Sequence, residues 1–291
     1  MKIPLATLLA SLVVFSLARA DEPGLPPGCS LRRDIVYATR DPGGPQKLDL
    51  YLPAGKGPHP FILRIHGGAW RAGDKANNVP TYLLEDGYAI ASVEHRFTSV
   101  APFPAQIQDV KAALRFLREH AGEFDLDPRR AAAMGDSSGG HLASLVGLTS
   151  GVAAMTDDPD SKTSDRVLAV VDIYAPSDLR MSAESWKASR PDLVDALNRL
   201  VGGTLEQRQD MAKAASLPTY VKKTSPPFLI LQGDKDDIVA PAQSIDLDRA
   251  LKAAGASSEL VILPGAGHGG PEFSAPEQRA KIRAFLDKYL R

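Results

Sequence analysis

The chain has 291 residues, 44% of them hydrophobic and 24% charged, with a formal net charge of −1. This length suits one large α/β domain or two small ones, and the composition supports a core of its own. A charge so near zero gives no electrostatic basis for binding nucleic acid or an anionic membrane, and Lys and Arg form no run outside short helical faces.

In chain order, Lys2 precedes an apolar run from Ile3 to Leu17 and the small residues of Ala18-Arg19-Ala20. This layout predicts a secretory signal peptide over residues 1–20, cleaved after Ala20, and export to the periplasm or the medium. The run is short for a spanning helix of about 20 apolar residues, and no stable membrane association is expected. Residues 21–33 read as a flexible lead-in, with the folded domain over 34–291. Cys29 is the only cysteine, so no intrachain disulfide can form. It does not directly follow the predicted cleavage site, where a lipidated cysteine would stand, and is expected to be an unpaired, inert thiol.

Residues 34–39 and 47–52 are expected to form a hairpin around the turn chemistry of Asp41-Pro42-Gly43-Gly44-Pro45. Strands and helices then alternate. Strands are expected at 61–65, 88–93, 130–134, 167–174, 228–231 and 259–263. Helices are expected at 79–85, 104–120, 138–148, 241–254 and 276–290. Ile107, Val110, Leu114 and Leu117 carry the 3–4 spacing of one helix face. Such alternation implies a mostly parallel sheet covered on both faces. Residues 151–165 read as a polar loop. Residues 177–220 hold helical pieces such as 191–200 and are expected to form a small cap.

Gly135-Asp136-Ser137-Ser138-Gly139 follows a predicted strand and opens a predicted helix. A Gly-x-Ser-x-Gly string alone is weak evidence. In a strand–turn–helix context it presents the Ser137 hydroxyl at the carboxyl end of the sheet as a nucleophile, with the helix N-terminus facing developing negative charge. A trypsin-like protease shares the Gly-Asp-Ser string, but that fold is all-β, carries its histidine before the serine and usually has disulfides. A glycine-rich helix entry without chemistry is the other reading of these residues.

His66-Gly67-Gly68-Ala69-Trp70 directly follows the strand at 61–65. Backbone N–H groups from Gly67 or Gly68, with that of Ser138, would form an oxyanion hole, and removing a good donor of this kind would raise the barrier by about 3 kcal/mol. His66 is expected to hold this loop in shape by a hydrogen bond. Six histidines compete for general base. Only His268, in Gly265-Ala266-Gly267-His268-Gly269-Gly270 after the last strand, completes the order serine, acid, histidine. The acid is expected in Gly233-Asp234-Lys235-Asp236-Asp237, with Asp236 favoured over Asp237 and Asp234.

These motifs, with Phe103-Pro104-Ala105-Gln106-Ile107-Gln108-Asp109-Val110 and Gly139-Gly140-His141-Leu142, resemble the α/β-hydrolase esterases, in particular the bacterial feruloyl-esterase-like and hormone-sensitive-lipase-like branch. The resemblance covers most of residues 35–290. It implies an α/β-hydrolase fold, a mostly parallel eight-stranded sheet flanked by helices with a small cap insertion. It also implies a serine carboxylic ester hydrolase that needs no metal or organic cofactor. The acid of that family is the third residue after the loop glycine, which is Asp236 here. Known members cleave small or polysaccharide-linked esters, including acetyl and feruloyl groups. The family often has Tyr-Arg after its fourth strand, where this chain has His95-Arg96. Two rival readings share the fold. One is a serine peptidase of the prolyl-oligopeptidase type, which would normally carry a large extra domain for which this chain has no room. The other is a non-enzymatic binding protein, which would usually have lost a triad member.

Overall fold

The computed structural model describes residues 24–291; the leader predicted over residues 1–20 lies outside the described residues. Eight strands form one sheet: β1 (Ser30–Arg40), β2 (Gly44–Leu52), β3 (His59–Ile65), β4 (Ala89–Val93), β5 (Leu126–Asp136), β6 (Ala169–Ile173), β7 (Phe228–Gly233) and β8 (Ser258–Leu263). Their order is 1-2-4-3-5-6-7-8, with β2 antiparallel to β1 and β4 and all other pairs parallel. Every residue of β3, β4, β6 and β7 is buried, as expected of parallel strands covered on both faces.

The helices are α1 (Ala105–Glu119), α2 (Ser138–Leu148), α3 (Leu179–Trp186), α4 (Pro191–Val201), α5 (Gln209–Ala214), α6 (Ala242–Ala253) and α7 (Pro276–Leu290). Helices α1, α2 and α6 pack into one core with Leu63, Ile65, Val170 and Ile230. Helix α7 packs on the opposite face against Ile62, Ile90, Val171 and Leu229. Alternate residues of each strand thus feed two cores.

The structure corrects two expectations. Residues 30–33 are not lead-in but the start of β1: Ser30, Leu31 and Arg32 pair with Leu52, Tyr51 and Leu50. Cys29 just before them is free and buried with Tyr51 and Ile62, so its thiol is inaccessible. The helix predicted over 79–85 is only a 3-10 turn, Thr81–Leu84. Pro80 and Gly87 leave that segment too short to propagate an α-helix, and it buries just Leu83 and Leu84.

Candidate active site

The end of β5 runs directly into α2, and Ser137 between them has φ 54° and ψ −124°. A left-handed φ on a residue with a Cβ costs about 1–3 kcal/mol and persists only where surroundings hold it. Here the Ser137 N–H donates to Ile173 O at 2.8 Å, and Ser137 O accepts from His141 N at 3.0 Å. Close approach fixes the glycine that follows: a Cβ on Gly139 would lie 2.3 Å from Ile65 O at the end of β3. Asp136, next to Ser137, makes a buried ion pair with Arg64 of β3.

The structure brings the predicted nucleophile, base and acid into one chain. His268 Nε2 lies 2.9 Å from Ser137 Oγ, and His268 Nδ1 lies 2.8 Å from Asp236 Oδ2. Asp236 is also held from other directions. Its Oδ1 accepts from the N–H groups of Ile238 (2.9 Å) and Val239 (2.8 Å), and its Oδ2 accepts from Gln232 Nε2 at 3.0 Å. Gln232 is fixed in turn by the Ser244 hydroxyl on α6, which donates to Gln232 Oε1 at 2.8 Å. Asp234 does something else: its carboxylate accepts from Gly265 N at 2.7 Å and shapes the turn before the histidine loop. Asp237 is exposed. Tyr174 packs its ring against His268, centroids 4.6 Å apart, and Phe273 meets Tyr174 edge-on.

Gly67 and Ser138 lie beside Ser137, and Gly68 follows Gly67 in the loop after β3. A Cβ on Gly67 would lie 3.3 Å from Ser137 Cβ, and Ser138 is the first residue of α2, so its N–H has no intrahelical acceptor. Gly68 has φ +131°, and a Cβ there would lie 2.0 Å from Ala72 O, so no side chain fits. His66 holds the loop as expected, its Nδ1 2.8 Å from Gly67 O. The His66 ring stacks on His95 at 5.0 Å, which shows what the unusual His95 contributes: a flat surface beneath the loop. Burial lowers the pKa of both, that of His95 to about 3.

Two further positioning groups emerge only in three dimensions. His141 on α2 accepts from Trp70 Nε1 at Nδ1 (3.2 Å), and its Nε2 meets Ala215 O at 2.7 Å. This pairing requires a neutral ring protonated at Nε2, and burial pushes its pKa down to about 4. It ties the loop after β3 to α2 and to the insertion. Asp109 of the Gln-Asp-Val signature is fully buried and accepts from Arg96 N, Nε and Nη2 and from Arg40 Nε, all within 3.0 Å. It therefore anchors the segment that carries His95.

The insertion over 177–220 contains α3, α4 and α5. Arg71, just past the glycine loop after β3, donates to Asp192 O on α4, and Trp186 Nε1 on α3 donates to Ile238 O in the loop that carries Asp236. The insertion thus contacts both loops at the carboxyl end of the sheet.

The BD-FAE family model matches residues 48–251. The chain is 31% identical over 247 residues to Esterase LipC of Mycobacterium tuberculosis, a match covering 82% of this chain and 59% of that protein. It spans less than two thirds of the length of the first curated relatives it matches. Among solved structures, a truncated form of a carbohydrate esterase from gut microbiota superposes with TM-score 0.78 at 30% identity, over 89% of this chain and 95% of that one. A bifunctional GH43-CE protein of Bacteroides eggerthii gives TM-score 0.79 at 34% identity, over 89% of this chain and 38% of that one. With its eight-stranded sheet, its strand–turn–helix serine and this match, the chain belongs to the BD-FAE family of α/β-hydrolase esterases.

Proposed function

We propose that the protein is a serine carboxylic ester hydrolase working through an acyl-enzyme, with esters borne by polysaccharide or other small esters as substrates. The observation that carries the reading is the unbroken Ser137–His268–Asp236 hydrogen-bond chain. His268 Nε2 takes the Ser137 proton as Oγ attacks the ester carbonyl carbon. The carbonyl π electrons move to oxygen, held by N–H groups of Gly67, Gly68 and Ser138. Collapse breaks the bond to the alcohol oxygen, which leaves with the proton from His268. Water, deprotonated by His268, then attacks the acyl carbon; Ser137 departs with that proton and the acid is released. Asp236 keeps His268 protonated at Nδ1 and stabilises the imidazolium.

The polysaccharide-linked substrate is supported by the similarity to a carbohydrate esterase. Export after Ala20 belongs to the same reading, and N-terminal sequencing of the mature protein from periplasm or medium checks it. For the chemistry, Ser137→Ala should abolish p-nitrophenyl acetate hydrolysis while leaving the fold intact by circular dichroism. A fluorophosphonate probe should label the wild type and not the variant. Retained hydrolysis or labelling in Ser137→Ala would defeat the reading.

A further inference from the structure

A cavity of about 420 Å³ opens on the α7 face of the sheet, with the Tyr174 ring between it and His268. This lies within the range of about 300–1,000 Å³ typical of small-molecule sites. It shares a wall with the catalytic groups: the Tyr174 ring that packs on His268 also lines the cavity, and so does Asp136, the residue before Ser137. Its floor is buried and electrically balanced, because the Arg64 guanidinium is spent on Asp136 and on backbone carbonyls. Its mouth is different. Arg279 on α7 is exposed, lies over the Tyr82 ring at 4.9 Å and donates through Nε to Ser274 O. Among the described residues Arg279 forms no ion pair, so its guanidinium is available to a carboxylate at the entrance, where the Glu272 carboxylate against Gly270 is the acidic neighbour a ligand must avoid. Asn78 and Ser274, both exposed at the rim, offer an amide and a hydroxyl oxygen that can accept, its proton being donated to Pro271 O at 3.2 Å, while Phe273 supplies an apolar wall.

We infer that this cavity is a subsite for a hexuronic acid, a sugar ring whose carboxylate pairs with Arg279 and whose hydroxyls meet Asn78 and Ser274. The chemistry of the lining favours a ring that is apolar on its face, hydroxylated at its edge and singly negative. The inference deepens the ester hydrolase reading by naming a group that neighbours the scissile ester. Its test reads binding, so it remains measurable if turnover fails.

Calorimetry on the Ser137→Ala protein compares methyl β-D-glucuronoside with methyl β-D-glucoside, which differ at the carboxylate. The glucuronoside should bind about tenfold or more tightly than the glucoside. Arg279→Gln should erase that preference, and Arg279→Lys should restore part of it. Equal affinity for the two glycosides, no binding of either, or a preference untouched by Arg279→Gln would overturn the subsite. Benzoate binding that depends on Arg279, without glucuronoside binding, would overturn the sugar assignment in favour of an aryl acid.

Discussion

Asp236 stands among three neighbouring carboxylates, and what separates it is the number of donors aimed at it. Two backbone N–H groups, one amide and one imidazole converge on it, whereas Asp234 meets one N–H and Asp237 is exposed. Replacing its carboxylate by an amide turns an acceptor into a donor facing His268 and favours the wrong tautomer. Asp236→Asn is therefore expected to lower kcat on p-nitrophenyl acetate by about 10³–10⁴-fold with little change in KM. Asp234→Asn keeps the oxygen that Gly265 needs, and Asp237→Asn changes an exposed group, so both should stay near wild type. A loss in either that matched Asp236→Asn would move the acid. The order of serine, acid and histidine made His268 and the acidic loop readable from residues alone, while the family resemblance singled out Asp236 within that loop. Gln232 was not readable, because a glutamine at a strand end carries no pattern until Ser244 and Asp236 are seen on either side of it.

At the scale of elements, α2 is buried along its whole length, and it carries polar groups that must be satisfied inside. Ser144 on α2 donates to Asp172 of β6 at 2.6 Å, and Ala175 N adds a second bond at 3.1 Å. Burial nevertheless raises the Asp172 pKa to about 7. A carboxyl with a raised folded pKa stabilises most fully below its unfolded value near 4, and that contribution fades as pH rises through 7. Asp172→Asn should remove this dependence, since the amide never ionises. Urea unfolding should find the variant no less stable than wild type at pH 8, and its relative standing should be poorer at pH 5. A variant that fares worse at pH 8 than at pH 5, relative to wild type, contradicts the assignment. Element identity was legible wherever apolar periodicity ran for ten residues or more, as in α1 and α7. The 79–85 segment failed because local composition favoured helix while Pro80 and Gly87 limited its length. The start of β1 failed because Pro/Gly-rich residues 21–28 masked a strand that is defined by its partner β2.

Across the whole molecule, three buried histidines, His66, His95 and His141, have pKa values lowered chiefly by burial. Each is neutral when folded but takes a proton when unfolded below about pH 6.5, so the unfolded state binds more protons there. The contribution of these rings is thus fully present above pH 6.5 and is lost as pH falls through their folded values, about 4 for His141 and about 3 for His95; His141 alone contributes on the order of 3 kcal/mol across its window. Asp172 acts in the opposite direction over part of the same range, as one group against three. Urea midpoints should fall steeply between pH 6.5 and 4.5, and His95→Phe should flatten the curve. An unchanged midpoint over that range would show that these rings do not govern acid stability.

The Trp70–His141–Ala215 chain has a consequence for how this protein can change. It joins the glycine loop after β3, the helix that follows Ser137 and the insertion through one neutral imidazole. The insertion is therefore not an interchangeable part. A graft with a different specificity must deliver a carbonyl oxygen where Ala215 now presents one, or leave a buried Nε2–H without an acceptor. Evolution of new substrates in this chain should accordingly run through α3 and α4, while the residues around Ala215 stay as the hinge on which every working variant is built.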